Sequence, residues 1–316
     1  VIRQKGVEYH FKKMSRVESW FPFRLHIYLS KLQPDVVVVH GLVFPLQVIM
    51  LRQQLGSRIK IALMHHAERP FNRYRRWFQR IADRFVDTYF FNSVQHSREW
   101  IETKIIRNPA KVIEVMIGSS VFYPVDRSLA REKIFVPDGV MYLWVGQLDV
   151  NKDPRTLIKA FKTFAAGRPT ARLFMIYQND DLLGEIKDLV DDFPRISLIG
   201  RVNHAELLHW YNSADFIVST SHRESGGIAV CEAMSCGCIP ILADIPSFQM
   251  MTDNGRVGFL FPPGNPQALL DVLVKSESVV GSVERKRVLD HFRVKLSSEA
   301  IVDKMMKVFT SPATHE

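Results

Sequence analysis

Two glutamates, Glu224 and Glu232, stand with seven residues between them in the stretch ESGGIAVCEAMSCGCIPI, Glu224 to Ile241. Glu232 is the one charged residue of an apolar run, where an unpaired carboxylate is costly to bury. Between the acids lie Gly226 and Gly227, followed by Ile228 and a short helical pattern. Glycines there allow close backbone approach, and the first N–H groups of a helix point outward unpaired. With the helix dipole they make a seat for a phosphate. Glu224 has a second reading, as a plain dipole partner or cap of that helix. Glu232 has one too, as a partly exposed helix residue. If buried it needs donors, and ribose hydroxyls can supply them. Together these elements suggest one ligand that carries both hydroxyls and phosphates. Gly237 is placed to end the helix.

Other loops offer related chemistry. In VGQLDVNKDPRTLIKAF, Gly146 and Gln147 leave an apolar run and Lys152 stands just before Pro154, a good first helical residue. Lys152 can supply a point charge to a diphosphate, or it can be an ordinary surface lysine. In LIGRVNH, the backbone of Gly200, Arg201 and Val202 can meet the flat edge of a base, and Arg201 is a further or merely solvated cation. MHHAERP brings His65 and His66 to the end of another apolar run, where a structural role is the alternative. The three cysteines, Cys231, Cys236 and Cys238, match no common zinc spacing, so no metal site is expected. They read as buried and reduced.

The elements that must position these loops alternate in type. DVVVVHG, IKIALMHH and DTYFFNS read as strands, with helices in LVFPLQVIMLRQQLG and FNRYRRWFQRIADRF. After Pro124 the alternation restarts through strands VMYLWVG, ARLFMIY, RISLIG, DFIVSTS and CIPILA, again separated by helical patterns. Such alternation implies parallel sheets covered on both faces. Two blocks imply two doubly wound α/β domains, residues 1–125 and 126–290, with a last helical stretch at 291–316. Ligands of open parallel sheets bind beyond the C-terminal strand ends, where all of the loops above lie.

The 316 residues suit two such cores, and 47% hydrophobic with 24% charged residues is an ordinary globular composition. No apolar run approaches the roughly 18 residues of a membrane span, and no signal peptide is visible. A cytoplasmic protein is expected. The net charge of +9 is uneven: residues 1–125 hold 20 Lys/Arg and 9 Asp/Glu, whereas the rest hold 22 and 24. A half this basic suggests an anionic partner, such as nucleic acid or a membrane surface. No nucleic-acid reading motif is recognisable and the second half is acidic, so nucleic acid is set aside. Within Arg69 to Arg84, Phe71, Trp77, Phe78 and Ile81 are spaced to bury one helix face while arginines line another. That pattern suits peripheral placement at the inner membrane surface.

The motifs resemble a retaining glycosyltransferase of the GT-B fold, close to family four (glycosyl transferases group one). The resemblance runs from about residue 5 to about residue 310 and is strongest from Gly200 to Pro263. The two glutamates, PDVVVVHG, VGQLDVNKDPRTLIKAF and GFLFPPGNPQALLDVL carry it. It implies two Rossmann-like domains facing a cleft, with the acceptor on the first and a nucleotide-sugar donor on the second. By position, Glu224 would hold donor-sugar hydroxyls, and Gly227 and Ile228 would offer N–H groups to the distal phosphate. Glu232 would bind the ribose, Lys152 would neutralise the leaving diphosphate, and Gly200 to Val202 would frame the base. His66, ahead of His65, would stand near the reacting sugar. Such enzymes are expected to keep the anomeric configuration without a metal or other cofactor.

The sequence departs from the family in three places. Gln147 and Gly226 stand where the family often has an arginine and an aromatic residue. RQKGVEYHF resembles the end of the family's first helix and its second strand, so the first strand and glycine-rich loop are expected to be absent and the first domain incomplete. The function expected is transfer of a hexose from a UDP- or GDP-linked sugar to a saccharide or lipid-linked acceptor, in surface polysaccharide or glycolipid synthesis. The alternatives are a non-catalytic donor-binding fragment and a nucleotide-sugar epimerase on the same fold.

Overall fold

β-branched runs become strands and glycine or proline ends become helix boundaries along most of the chain. The computed structural model describes residues 1–4, 6–179, 181–191 and 193–310. The chain divides into two units, one of Val1–Ile117 with the chain from Val308, the other of Gly118–Lys307.

The first unit opens with β1 (Ile2–Gln4) and β2 (Val7–Tyr9), which pair antiparallel with Ile2 opposite Tyr9. Every residue of both strands is exposed. This corrects the expectation of a helix end and a sheet strand in RQKGVEYHF: Gly6, at φ +79°, turns the chain back into a hairpin. Two helices follow, α1 (Arg16–Trp20) and α2 (Phe23–Lys31). The main sheet then runs β3 (Val36–His40), β4 (Lys60–Met64), β5 (Thr88–Phe91) and β6 (Val112–Glu114), parallel and in chain order. Its crossovers carry α3 (Pro45–Leu55), α4 (Arg76–Ala82) and α5 (Val94–Glu102). α3 starts on Pro45 and stops at Gly56, φ +74°, as its sequence requires. Leu51, Ile61, Leu63, Phe91 and Trp100 centre the core of this unit.

α4 differs from expectation. It spans seven residues, and it buries Gln79 and Ala82 while Trp77 stays exposed. The reason is polar: Gln79 donates to the Leu42 carbonyl at 3.3 Å and accepts from the Phe71 N–H at 2.9 Å. These bonds draw the amide inward and leave Trp77 stacked on Phe78, with ring centroids 3.7 Å apart.

The second unit holds α6 (Arg127–Lys133) and then β7 (Val140–Gly146), α7 (Pro154–Ala165), β8 (Ala171–Tyr177), α8 (Leu183–Val190) and β9 (Ile196–Gly200). It continues through α9 (His204–Ser213), β10 (Phe216–Ser219), α10 (Ile228–Ser235), β11 (Ile239–Ala243), α11 (Pro246–Met251), β12 (Phe259–Phe261) and α12 (Pro266–Ser276). α13 (Ser282–His291) and α14 (Ser298–Thr310) follow, and the last residues of α14 group with the first unit, where Phe309 packs edge-on to Phe90. The sheet is parallel throughout, in the order β12-β11-β10-β7-β8-β9. Chain order reverses between β7 and β10, which is where a doubly wound sheet opens a crevice for ligands.

The division lies at 117/118 rather than 125/126 because the intervening segment is bonded to the second unit. Asn212 accepts from the Val125 N–H at 2.8 Å and donates to the Tyr123 carbonyl at 3.0 Å. Ser119 donates to the Leu296 carbonyl at 2.6 Å.

Candidate functional site

Two loops leave the switch point of the second sheet, one after β7 and one after β10. The first turns through Asp153, which caps α7 at φ +45° and accepts from the Thr156 N–H at 3.2 Å. The second is tied to it at several points. Thr220 donates to the carbonyl of Lys152 at 2.7 Å, the His222 N–H donates to the Asn151 carbonyl at 2.8 Å, and Asn151 donates to the Arg223 carbonyl at 3.0 Å. The consequence is an ion pair between Lys152 and Glu224, residues far apart in the chain, with side chains 25% and 13% exposed. Glu224 is therefore engaged by a lysine. α10 has no side-chain cap bond, so the reading of Glu224 as its cap does not hold.

Gly227 begins α10 in the left-handed region, φ +53°. A Cβ there would come within 2.8 Å of Phe248, a fully buried ring, so the position excludes a side chain twice over. Gly226 is buried beside it, and Ile228, the first residue of the helix, is exposed.

One turn further on, Glu232 is half-buried, its side chain 12% exposed, and it does have donors. The Tyr211 hydroxyl donates to its Oε2 at 2.9 Å, and His204 Nε2 lies 3.4 Å from its Oε1. Glu232 is thus half-buried, as the helix-residue reading allows, and its carboxylate is also bonded by side chains of α9. Phe122 lines the same corner, its ring centroid 4.8 Å from that of His204 and 5.6 Å from that of Tyr211. Burial, and then the charge of Glu232, push the Tyr211 phenol well above its ordinary value.

Gly146 and the exposed Gln147 stand where β7 ends, and Arg201 and Arg223 are exposed. Gly200, at φ +81°, ends β9 with open space where a Cβ would be, followed by Arg201 and the half-buried Val202. The structure thus gathers Lys152, Glu224, Gly226, Gly227, Ile228 and Glu232 along one run of the second unit. This arrangement can offer a cation, helix N–H groups and two carboxylates to a ligand of mixed charge.

His65 and His66 belong to the first unit, at the end of β4. His65 is 4% exposed, stacks on Phe91 at 4.6 Å and bonds through Nε2 to the Glu68 carbonyl at 3.0 Å. Burial holds its imidazole below the ordinary value. His66 is exposed, and its Nε2 lies 2.8 Å from Nδ1 of His40. Its backbone N–H donates to Glu68 at 2.6 Å. Of the two, only His66 presents its ring to the surface.

Sequence reasoning missed His40, His204 and Tyr211. His40 closes the run PDVVVVHG, so its place at a strand end was readable. His204 and Tyr211 are seven residues apart on one helix face, a spacing that was also readable. That this face meets Glu232 was not. Among the described residues no helix is long and apolar enough to cross a membrane. The cysteines are free and buried.

Comparison with known proteins bears on family and fold. Residues 126–278 match the family described as glycosyl transferases group 1. The D-inositol 3-phosphate glycosyltransferase of Thermobispora bispora is 26% identical over 202 residues, 59% of this chain and 46% of that protein. The protein of the same name from Geodermatophilus obscurus is 26% identical over 81% of this chain and 60% of its own length. The chain thus spans about half the length of the curated relatives it matches. Among solved structures, sucrose-phosphate synthase from Thermosynechococcus elongatus superposes with a TM-score of 0.71 at 19% identity, covering 94% of this chain and 79% of that one. Anabaena HepE in complex with UDP superposes at 0.74 and 16% identity, covering 92% and 82%. These likenesses show the fold, GT-B with Rossmann-like domains.

Proposed function

From the premise that residues 126–278 belong to the group 1 glycosyltransferases, we propose that this chain moves a hexose from a nucleotide-diphosphate sugar to a hydroxyl acceptor with retention of anomeric configuration. The observation that carries the reading is the Lys152–Glu224 pair at the switch point, beside the glycine-started α10 and the oriented Glu232. Glu232 reads the ribose, and the N–H groups at Gly227 and Ile228 take the distal phosphate. Lys152 neutralises the diphosphate, and Glu224 holds sugar hydroxyls. Gly146 and Gln147 adjoin the phosphates, and Gly200 to Val202 frame the base.

In that reaction the bond from the anomeric carbon to the phosphate oxygen breaks. The acceptor oxygen bonds the same carbon on the same face, and its proton passes to the departing phosphate. Catalysis rests on positioning and on charge stabilisation of the leaving group. Lys152 supplies the cation in this reading, and no metal or other cofactor is assigned.

UDP is the first base to try, since HepE is solved with UDP and with UDP-glucose. The relatives named for D-inositol 3-phosphate support a phosphorylated polyol or saccharide as acceptor, which the basic first unit suits. A lipid-linked acceptor at an anionic membrane, in glycolipid or surface polysaccharide synthesis, is the variant favoured by the exposed Phe11, Trp20 and Phe23 near Lys12, Lys13, Arg16 and Arg24.

The test is calorimetric titration with UDP, GDP and their hexose conjugates, then transfer assays with the product's anomeric configuration read by NMR. Saturable binding and a retained product support the reading. His66→Ala should then lower transfer while leaving UDP affinity unchanged. A folded chain that binds neither nucleotide overturns the reading. Binding with no transfer to any phosphorylated, saccharide or lipid-linked acceptor points to a donor-binding fragment.

A further inference from the structure

We propose that Tyr211 is a positioning residue for nucleotide binding, acting through Glu232 rather than touching the ligand. The inference rests on the reading of Glu232 as the ribose ligand. Tyr211 lies on the inner side of α9 and is fully buried. Its hydroxyl donates to Glu232 Oε2 at 2.9 Å, a charge-assisted, part-buried bond. Burial, and then the neighbouring carboxylate, oppose ionisation of the phenol and so favour its donor form.

A glutamate has three rotatable side-chain bonds, and a half-free carboxylate must be ordered each time a ligand binds. Tyr211 removes that cost in advance. Each carboxylate oxygen can accept two hydrogen bonds. With one site on Oε2 taken by Tyr211, the other acceptor sites of the carboxylate remain for a ligand. His204, 3.4 Å from Oε1, is 65% exposed.

Tyr211 is itself held in place. Its carbonyl accepts from the Cys238 thiol at 2.8 Å, and the next residue, Asn212, ties α9 to the 118–125 segment at both ends of its amide. A positioning group needs such support, since looseness in the supporting shell passes directly to the ligand contact.

The competing account is that Tyr211 is a core aromatic whose hydroxyl merely needs a partner. Tyr211→Phe keeps the ring and its packing and removes only the donor. The experiment is titration of the wild type, Tyr211→Phe, Glu232→Gln and the double variant with UDP and with 2′-deoxy-UDP. Circular dichroism and thermal melts check each fold.

Positioning predicts that Tyr211→Phe weakens UDP about 3- to 10-fold, the scale of ordering one flexible side chain. It predicts that this loss shrinks for 2′-deoxy-UDP and disappears when Glu232 is already Gln. A fall in melting temperature with unchanged UDP affinity would assign Tyr211 to the core and overturn the proposal, while Glu232→Gln still weakening UDP would leave the ribose reading standing. If Glu232→Gln itself changes nothing, the ribose reading fails and Tyr211's role falls with it.

Discussion

Replacing Lys152 by Met tests the charge logic of the donor site most directly. The substitution keeps the length of the stem and removes the ammonium. Lys152 and Glu224 are 25% and 13% exposed, so the pair is neither a surface bridge nor a fully buried one. Loss of a partner costs about 0–1 kcal/mol at the surface and about 3–5 kcal/mol in a core. A cost of about 1–2 kcal/mol in fold stability is expected, discounted for solvent access to the lysine. Ligand affinity should suffer differently. A charge-assisted bond to a phosphate contributes about 1.5–3 kcal/mol, which is about a 10- to 150-fold loss in UDP affinity. Uridine carries no phosphate and should bind Lys152→Met as it binds the wild type. Calorimetry with both ligands separates the two effects. Glu224→Gln releases Lys152 from its partner, so UDP should bind at least as tightly, with discrimination among hexose conjugates reduced. Equal losses for uridine and UDP in Lys152→Met, or none for either, would refute the assignment of Lys152 to the diphosphate.

Acid should weaken the first unit. Burial holds His26, His40, His65 and His96 below their ordinary value of 6.5, so the unfolded chain takes up protons that the folded one resists. Their contribution is complete above about pH 6.5 and is lost as the pH falls below it. Amide exchange of peptides covering 60–64 and 88–91 should therefore be faster relative to intrinsic rates at pH 5.5 than at pH 7.5, and His96→Gln should flatten the difference. Equal protection at both pH values would contradict this. Gly227→Ala should cost about 2–4 kcal/mol in chemical denaturation, from positive φ and a clash with an immovable ring. Gly200→Ala, with no atom within 4 Å of the new Cβ, should cost only about 1–2 kcal/mol; the reverse ranking would refute the packing argument. The cysteines should resist alkylation until the protein unfolds, because burial raises the thiols of Cys236 and Cys231 to about 11 and 12. Labelling of native protein at a rate near that of a free thiol would show the site to be open.

Much of the fold is legible in the sequence. The strands VMYLWVG and ARLFMIY fall on the residues expected, and Gly56, Pro154 and Gly237 act where helices stop or start. These features are local: hydrophobic period, β-branching and the dihedral limits of glycine and proline act within a few residues. The spacing of Glu224 and Glu232 was legible for the same reason, since one short helix and its entry loop carry both. Tertiary structure decided the rest. α4 turns Gln79 inward and leaves Trp77 out because a carbonyl from another loop receives the amide, a partner no periodicity can reveal. Ile2–Gln4 and Val7–Tyr9 pair with each other rather than joining the main sheet. The boundary between units moved to 117/118 because Asn212 and Leu296, far along the chain, capture the linker. Lys152 meets Glu224 only because β7 and β10 lie side by side at the point where strand order reverses. Tyr211 meets Glu232 only because α9 and α10 pack with those faces inward. Composition and periodicity constrain which face of an element is buried, but the partner across that face is set by topology and close packing.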